Sequence, residues 1–474
     1  MASMQMLKEE NNQLSVTNPY SSLMPVTDPV QFYGRHDDVL RVAESIRSWQ
    51  PYAVSGEPRI GKTSFLYFLI HPEGARILPE FLVYVGSPDD YLFVLVELQR
   101  LPVRNATGFW RYLLDRLTEE ARKEAIEPSA ELKEYPSSRE QESDYYQVQT
   151  HFESYLKQRK RRVLFLFDDF DIVINDLDNT EVVQVTDKLR TLKEALDLNG
   201  KLNYVIVSTD PLVRLLKAKG ITNPSPFTSI IIPMAPLGLL EKDATDELLR
   251  EPLRQRVEQP IPQFTKDDIA FIYKLAGRYP GIMKTTCSYM FAARYQGNVD
   301  YDSVRQNIED DSNVRWLVDG LWERIKKEEQ LEGLPIREAL LQIAQGQVLL
   351  VSPAFRELRQ RGLVDDSTSP PHIFGDLFRA FLLHPQSHEV TPIELTSLES
   401  KLYNYLAEHV GQTCSRDQLQ KVIWGDKLPT SRDALEQLVK RVRGKIEPNP
   451  DRPIYLLNVR GQGYRLQKDP SRSL

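Results

Sequence analysis

Residues 56–63 have the types and spacing of a phosphate-binding loop. They read Gly-Glu-Pro-Arg-Ile-Gly-Lys-Thr and match G-x-x-x-x-G-K-[ST] between a strand-like run and a helical stretch. Glycine permits the backbone angles that bring N–H groups around phosphate oxygens, and the amino end of the next helix attracts the anion. We expect Lys62 to reach the β- and γ-phosphates of ATP, or the β-phosphate of ADP, and Thr63 to offer its hydroxyl to Mg²⁺. A chance match in a glycine-containing turn is the less favoured alternative. The predicted nucleotide-contacting residues of the loop are Gly56, Glu57, Pro58, Arg59, Ile60, Gly61, Lys62, Thr63 and Ser64.

Two adjacent carboxylates follow an apolar strand-like run at residues 163–167. Ligands of open α/β sheets bind at the carboxyl ends of the strands, where Asp168 and Asp169 stand. We expect Asp168 to hold Mg²⁺ through water and Asp169 to orient or deprotonate the attacking water, so that these two residues and Lys62 form the catalytic set. A solvated pair of loop carboxylates is the alternative. A third polar strand end, Ser-Thr-Asp at residues 208–210, fits a γ-phosphate sensor and a strand-terminating turn equally well.

The strands that position these residues alternate with helical stretches. Strand-like runs recur at residues 52–54, 91–97, 163–167, 203–208 and 229–232. This alternation is typical of a mainly parallel sheet, so the first half of the chain is predicted to be α/β. From residue 237 onwards the pattern becomes helical.

The composition restricts the class of protein. With 474 residues, 41% apolar and 27% charged, the chain has the make-up of several globular domains and not that of a collagenous or disordered protein. Its apolar runs are far shorter than the ~20 residues of a membrane-spanning helix, and its amino end lacks a secretion signal. Cys287 and Cys414 stand far apart, which excludes a disulfide framework and a thiolate zinc site. We expect a cytoplasmic protein without membrane contact.

The basic residues are concentrated towards the carboxyl end. Residues 389–474 carry 14 Lys and Arg against 11 Asp and Glu, or +3, which leaves 46 against 56, or −10, for the preceding residues. In the predicted helix at residues 431–447, apolar residues form one stripe, Gln437 falls roughly opposite, and cations flank it on both sides. A helix inserted into a DNA groove needs this arrangement, and a solvated charged face is the alternative. The flanking cations are Arg432, Lys440, Arg441, Arg443 and Lys445.

The first part of the chain resembles the STAND class of signal-transduction ATPases, which are relatives of the AAA+ family. The resemblance covers residues 18 to about 383 and rests on Phe-Tyr-Gly-Arg at residues 32–35, on the Asp-Asp strand end and on Ala-Gly-Arg-Tyr-Pro-Gly at residues 276–281. It implies that Phe32, Gly34 and Arg35 touch the adenine. It also implies a helical lid on which Pro280 packs near the base.

Residues 390–467 resemble the winged-helix output domain of OmpR/PhoB-type response regulators. The resemblance rests on Ser-Arg-Asp-Gln-Leu at residues 415–419, on Val-Ile-Trp-Gly at residues 422–425, on residues 440–447 and on Val-Arg-Gly-Gln-Gly-Tyr-Arg-Leu at residues 459–466. It implies binding of double-stranded DNA, with Arg460 of the wing in a minor groove. The ATPase part takes the place that a receiver domain holds in those regulators.

We therefore predict a multi-domain chain of α/β and α+β parts. Its divisions are an N-terminal arm (residues 1–28), a P-loop NTPase domain with a parallel sheet (29–236), a helical lid (237–305), a winged-helix-like domain (306–386) and an OmpR/PhoB-type winged helix-turn-helix (387–474).

These features predict a nucleotide-switched transcription regulator that binds double-stranded DNA and forms homo-oligomers. An unidentified signal ligand or protein would set its nucleotide state. Because Asp169 is one methylene shorter than glutamate, we expect slow ATP hydrolysis suited to a switch. Two other hypotheses stay open: an AAA+ ATPase that loads or remodels DNA, as origin-recognition ATPases do, and a STAND scaffold whose winged helix binds protein.

Overall fold

The computed structural model divides the chain into two compact units. The first unit comprises Met1–Val299 and Leu350–Gly375, and the second comprises Asp300–Leu349 and Asp376–Leu474. The structure describes residues 18–123, 145–158, 160–195, 198, 200–221, 226–233, 236–254, 261–297, 299–347, 352–384, 397–409, 411–425, 434–447, 453, 455–459 and 462–467.

The helices and strands are numbered in chain order. The helices are α1 (His36–Arg47), α2 (Lys62–Ile70), α3 (Pro79–Val85), α4 (Ala106–Lys123), α5 (Tyr145–Gln158), α6 (Asp171–Asp176), α7 (Asn179–Glu194), α8 (Leu212–Ala218), α9 (Lys242–Arg254), α10 (Lys266–Ala276), α11 (Pro280–Tyr295), α12 (Tyr301–Glu309), α13 (Ser312–Glu332), α14 (Ile336–Ala344), α15 (Pro353–Gln360), α16 (Asp376–Leu383), α17 (Ser397–Glu408), α18 (Arg416–Trp424) and α19 (Ala434–Ile446). The strands are β1 (Tyr52–Ser55), β2 (Tyr91–Glu97), β3 (Arg162–Asp168), β4 (Leu202–Ser208), β5 (Ile232–Pro233), β6 (Val364–Asp365), β7 (His372–Ile373), β8 (Cys414–Ser415), β9 (Leu456–Val459) and β10 (Gly463–Leu466).

A parallel sheet forms the centre of the first unit. Its strand order is β2-β3-β4-β1-β5, and each neighbouring pair is parallel. The residues of β4 are all buried, as are all but one in each of β2 and β3, so helices cover both faces of the sheet. The predicted P-loop ATPase-type sheet is confirmed.

The fifth strand differs from its prediction. The sequence pattern predicts a strand at residues 229–232, whereas Pro226–Ile230 forms a short 3-10 helix and β5, within the described residues, is Ile232–Pro233. Proline has no backbone N–H to donate to a ladder, so Pro233 suits a strand at the edge of the sheet.

Three further helices, α9, α10 and α11, follow the sheet, and the arm before α1 packs on two of them. Asn18 Nδ2 donates to the carbonyl and hydroxyl oxygens of Ser288 on α11 (2.9 and 3.0 Å). The buried Tyr20 donates its hydroxyl to the carbonyl of Leu249 on α9 (2.6 Å). These helices stand where the lid is predicted.

The segment Leu350–Gly375 returns to the first unit. It contains α15 and the antiparallel pair of β6 and β7. The predicted domain of residues 306–386 is therefore shared between the two units, because its other residues lie in the second.

The second unit contains the predicted C-terminal winged helix. Its helices α17, α18 and α19 pack with a three-stranded sheet of order β8-β10-β9 around a continuous apolar core. The predicted apolar stripe of α19 is buried in that core: Leu435, Leu438, Val439, Val442 and Ile446. Trp316 of α13 packs against the same core and donates its indole N–H to the Tyr455 hydroxyl.

Among the described residues, no helix combines the length and the apolar composition that a bilayer crossing requires.

Candidate functional site

The phosphate-binding loop joins β1 to α2 with the backbone geometry that its glycines permit. Gly61 has φ +105°, which favours glycine, and α2 begins at the next residue. The buried Lys62 donates from Nζ to the carbonyls of Gly56 (2.8 Å) and Glu57 (3.1 Å). The ammonium is thus held against the loop that would receive the phosphates.

Two predicted nucleotide contacts, Glu57 and Pro58, are occupied by other parts of the first unit. The Glu57 carboxylate accepts from Nε of Arg361 (2.5 Å), and both side chains are buried. The Pro58 carbonyl accepts from the hydroxyl of Tyr279, directly before α11 (2.5 Å).

The second half of the loop is held from two more directions. Arg35 donates from Nη2 to the carbonyls of Ile60 (3.0 Å) and Gly238 (2.7 Å), so its buried guanidinium supports the loop itself. Arg59 has φ +58°, and its side chain lies so close to Gly281 on α11 that a Cβ there would stand 2.7 Å from the arginine Cβ. Pro280, predicted to pack near the base, is the first residue of that helix.

The remaining predicted contacts before and after the loop also make interactions within the first unit. Phe32 stacks on Phe68 of α2, with ring centroids 4.5 Å apart. Gly34 has φ +72° and lies against Ala244, where a Cβ would meet that methyl group at 2.5 Å. The Ser64 hydroxyl accepts from the backbone N–H of Val26 (2.9 Å).

Asp168 and Asp169 stand where β3 ends, as predicted. Burial, together with the neighbouring charge of Asp169, raises the pKa of Asp168 to about 7, while a hydrogen bond from Thr63 opposes the rise. Oδ1 of Asp168 is buried and has no hydrogen-bond partner within the described part of the chain.

These observations fit a magnesium ion. A buried carboxylate oxygen without a donor is costly unless a cation or a proton satisfies it, and oxygen ligands are those that Mg²⁺ prefers. The hydroxyl of Thr63 lies within hydrogen-bonding reach of the same carboxylate. Thr63 and Asp168, the predicted metal residues, are therefore brought together and would hold the ion.

Asp169 is held by a residue that sequence reasoning missed. It has φ +54°, unusual for a residue with a side chain, and its Oδ2 accepts from Nε2 of Gln99 (2.7 Å). Gln99 follows β2, the neighbour of β3 in the sheet. The polar residues after β2 could have pointed to Gln99 from the sequence, because the ends of adjacent parallel strands meet at one edge of the sheet.

A second missed residue joins the ends of β3 and β4. Asp171 accepts from the backbone N–H of Thr209 (3.0 Å to each oxygen) and from its hydroxyl. Burial raises the pKa of Asp171. The Thr209 carbonyl accepts from the N–H of Gly56 (3.3 Å). Thr209, the middle residue of the strand end expected either to sense the γ-phosphate or to form a turn, thus binds both the loop and Asp171.

The predicted DNA-binding residues of α19 fall into two groups. Gln437, Lys440 and Arg441 are exposed, although Arg441 Nε also lies 3.8 Å from the buried carboxylate of Glu399 on α17. Arg443, which is half-buried, donates from Nε to the Leu456 carbonyl (2.9 Å), and Lys445 donates to the buried Glu399 of α17 (2.7 Å). The second group therefore supports the domain as well. Arg432 and Arg460 lie outside the described residues.

Comparison with known proteins gives matches in both parts of the chain. Residues 390–466 match the family model "Transcriptional regulatory protein, C terminal". The Walker-type ATPase of Pyrococcus abyssi is similar in structure, with a TM-score of 0.51 and 14% identity over 77% of this chain and 99% of that one. The ORC2 protein of Aeropyrum pernix gives a TM-score of 0.44 and 13% identity over 78% and 97% of the two chains. The ORC1 protein of the same organism in complex with DNA gives 0.40 and 13% over 76% and 94%.

At such identities the structural similarity concerns the fold. The chain therefore combines a P-loop ATPase-type parallel sheet with a C-terminal winged helix, and residues 390–466 form a domain of the transcriptional regulatory protein C-terminal family.

Proposed function

We propose that this protein is an ATP-binding transcription regulator whose nucleotide state controls the binding of its winged helix to double-stranded DNA. The observation that supports this most directly is the set of Lys62, Thr63 and Asp168 at one edge of the sheet, in a chain that also carries a regulator-type winged helix. A nucleotide switch acts through a second element that responds to it, and the winged helix is proposed to be that element.

ATP is proposed to be hydrolysed slowly. Lys62 would leave the carbonyls of Gly56 and Glu57 for the β- and γ-phosphates, and Thr63 and Asp168 would hold Mg²⁺. The bound ion would neutralise charge that develops on the phosphoryl oxygens. Asp169 would accept a proton from the attacking water or orient it, once its carboxylate is free of Gln99.

The contact with DNA is proposed for the exposed face of α19. Gln437 is the group suited to a base edge, and Lys440 and Arg441 are suited to phosphates. Arg432 and Arg460 are proposed as further cations of the same interface. Homo-oligomerisation, which would place two such helices on neighbouring half-sites, is part of the proposal.

The test first selects duplex DNA fragments that the protein binds. The occupancy of these fragments is then measured under three conditions: without nucleotide, with ADP, and with ATP and Mg²⁺. We expect occupancy to change about tenfold or more between ADP and ATP, since a switch needs a differential affinity of that order. The variant Lys62→Ala should bind DNA equally under all three. Equal occupancy for the wild-type protein in all three conditions would contradict the proposal.

A further inference from the structure

A buried ion pair joins the phosphate-binding loop to the segment Leu350–Gly375. Nε of Arg361 donates to Oε1 of Glu57 at 2.5 Å, and the two side chains are 4% and 1% exposed. Moving two charges out of water is unfavourable, and an apolar pair of similar volume often stabilises such a site as well or better. The presence of this pair inside a ligand-binding loop therefore needs a reason other than stability.

Glu57 is placed to control the lysine of the loop. Its carbonyl oxygen accepts from Lys62 Nζ at 3.1 Å and from the backbone N–H of Ile60 at 3.3 Å, while its carboxylate is bound by Arg361. The carbonyl and the carboxylate belong to one residue, so a restraint on the side chain limits where the backbone can place the carbonyl. The next carbonyl, that of Pro58, is restrained by Tyr279.

Arg361 itself is firmly placed. It is the C-cap residue of α15, and its backbone N–H donates to the carbonyls of Arg359 and Glu357. The adjacent Gly362 has φ +72°, and a Cβ there would stand 2.8 Å from the backbone nitrogen of Leu239. Close backbone packing on one side and a helix on the other thus fix the point from which the guanidinium reaches Glu57.

We propose that Arg361 is a positioning residue for the nucleotide, which through Glu57 holds the first half of the loop in the shape that presents Lys62 to the β- and γ-phosphates. This inference rests on the proposed nucleotide site. Arg361 acts on the ligand only through Glu57 and Lys62. The segment Leu350–Gly375, which is flanked in sequence by residues of the second unit, thereby contributes to the ATP site.

The chain offers a matched control. Glu357 lies on α15, one helical turn before Arg361, and accepts from Arg214 on α8 at 3.2 Å. This pair ties the same helix to the same unit, yet neither residue belongs to the loop. The variant Glu357→Gln should therefore loosen α15 without changing the restraint on Glu57.

The experiment compares full-length Glu57→Gln, Arg361→Gln, Arg361→Lys and Glu357→Gln with the wild-type protein. ATP and ADP affinities are measured by calorimetry, and the melting temperature by scanning calorimetry. We expect Glu57→Gln and Arg361→Gln to lower the affinities for ATP and ADP about tenfold, and Glu357→Gln to change these affinities less than about twofold. Arg361→Lys keeps a cation at the site and should recover part of the affinity.

The double variant Glu57→Gln with Arg361→Gln gives a second reading. Both changes remove one interaction, so the double variant should bind ATP about as well as either single variant. Unchanged ATP affinity in Glu57→Gln and Arg361→Gln, additive losses in the double variant, or equal losses in Glu357→Gln would overturn the inference. Failure of the proposed nucleotide site looks different, because Lys62→Ala would then bind ATP as the wild-type protein does.

Discussion

The phosphate-binding loop and helix α19 were each predicted from a short stretch of sequence, but the two sequence patterns specify different properties. In the loop, the pattern specifies a backbone shape, and the structure has that shape, with Gly61 in the left-handed region and Lys62 opening α2. In α19, the pattern specifies only the sign of the charge. Three of its cations, Arg441, Arg443 and Lys445, have acceptors in their own domain.

The difference arises from what each pattern constrains. A glycine pattern fixes dihedral angles, which depend on local geometry. The contacts of a row of cations depend on every acceptor that the fold brings near it. Glu399 is only 3% exposed, and it requires a cation because a buried carboxylate without a partner is unfavourable. Lys445 meets that requirement at 2.7 Å, and Arg441 lies 3.8 Å from the same carboxylate. Charge patterning therefore predicts the charge of a helix face, but not which of its cations are bound within the domain.

The largest effect is expected at the carboxylate edge of the nucleotide site. Asp168→Asn removes the charge that would hold Mg²⁺, so ATP hydrolysis should fall at least about 100-fold, and Mg²⁺ should no longer strengthen ATP binding. Titration with ATP in the presence of Mg²⁺ or of a chelator measures the second effect. Asp169→Asn is the control, since it should lose hydrolysis but keep the response to Mg²⁺. If Mg²⁺ still strengthened ATP binding by Asp168→Asn, Asp168 would not be the residue that holds the ion.

The next prediction separates the two groups of cations on α19. Lys440→Ala should weaken duplex binding about fivefold and reduce the salt dependence by about one phosphate contact, without changing the melting temperature. Arg443→Ala leaves the Leu456 carbonyl without this donor, so it should lower the free energy of unfolding of the domain by about 1–3 kcal/mol. The prediction would be wrong if Lys440→Ala lowered the stability of the domain and Arg443→Ala weakened only DNA binding.

The sequence predicted the parallel sheet, the loop, the Asp-Asp strand end and the winged helix, because periodicity and local motifs determine them. It did not predict Gln99, Asp171 or Arg361, whose partners lie 70, 38 and 304 residues away along the chain. Those contacts depend on which strand ends become neighbours and on the return of Leu350–Gly375 to the first unit. The two-residue β5 was misplaced because proline and a short apolar run leave the strand end ambiguous.

An ion pair of the first unit, Arg278 with Asp365, should weaken in acid. Although burial opposes it, hydrogen bonds from Arg278 and Ser367 hold the pKa of Asp365 at about 2. A folded pKa below the unfolded value near 4 means that the stabilisation is present above about pH 4 and is lost as the pH falls towards 2. The cost of Asp365→Asn should thus shrink from about 2 kcal/mol near pH 6 to about 1 kcal/mol near pH 3.

Urea unfolding of Asp365→Asn and of the wild-type protein at both pH values measures that difference. A cost that stays constant with pH would show that the Asp365 carboxylate is not held by Arg278. Glu357→Gln serves as the control, because Glu357 binds Arg214 and does not take part in the two hydrogen bonds that Arg278 donates to Asp365.

The smallest effect on stability is expected at an exposed pair of the winged helix. Arg416 Nη2 binds Glu436 at 2.7 Å, but the two side chains are 50% and 51% exposed, so Glu436→Gln should change the free energy of unfolding by less than about 0.5 kcal/mol. Glu436 precedes Gln437 on α19, and loss of its negative charge near the phosphates should strengthen duplex binding about twofold to threefold, most clearly at low salt. Fluorescence anisotropy across a salt series measures this. Weaker binding by Glu436→Gln would mean that the pair orients Arg416 for DNA, and that even an exposed charge of this helix serves the interface through its neighbour.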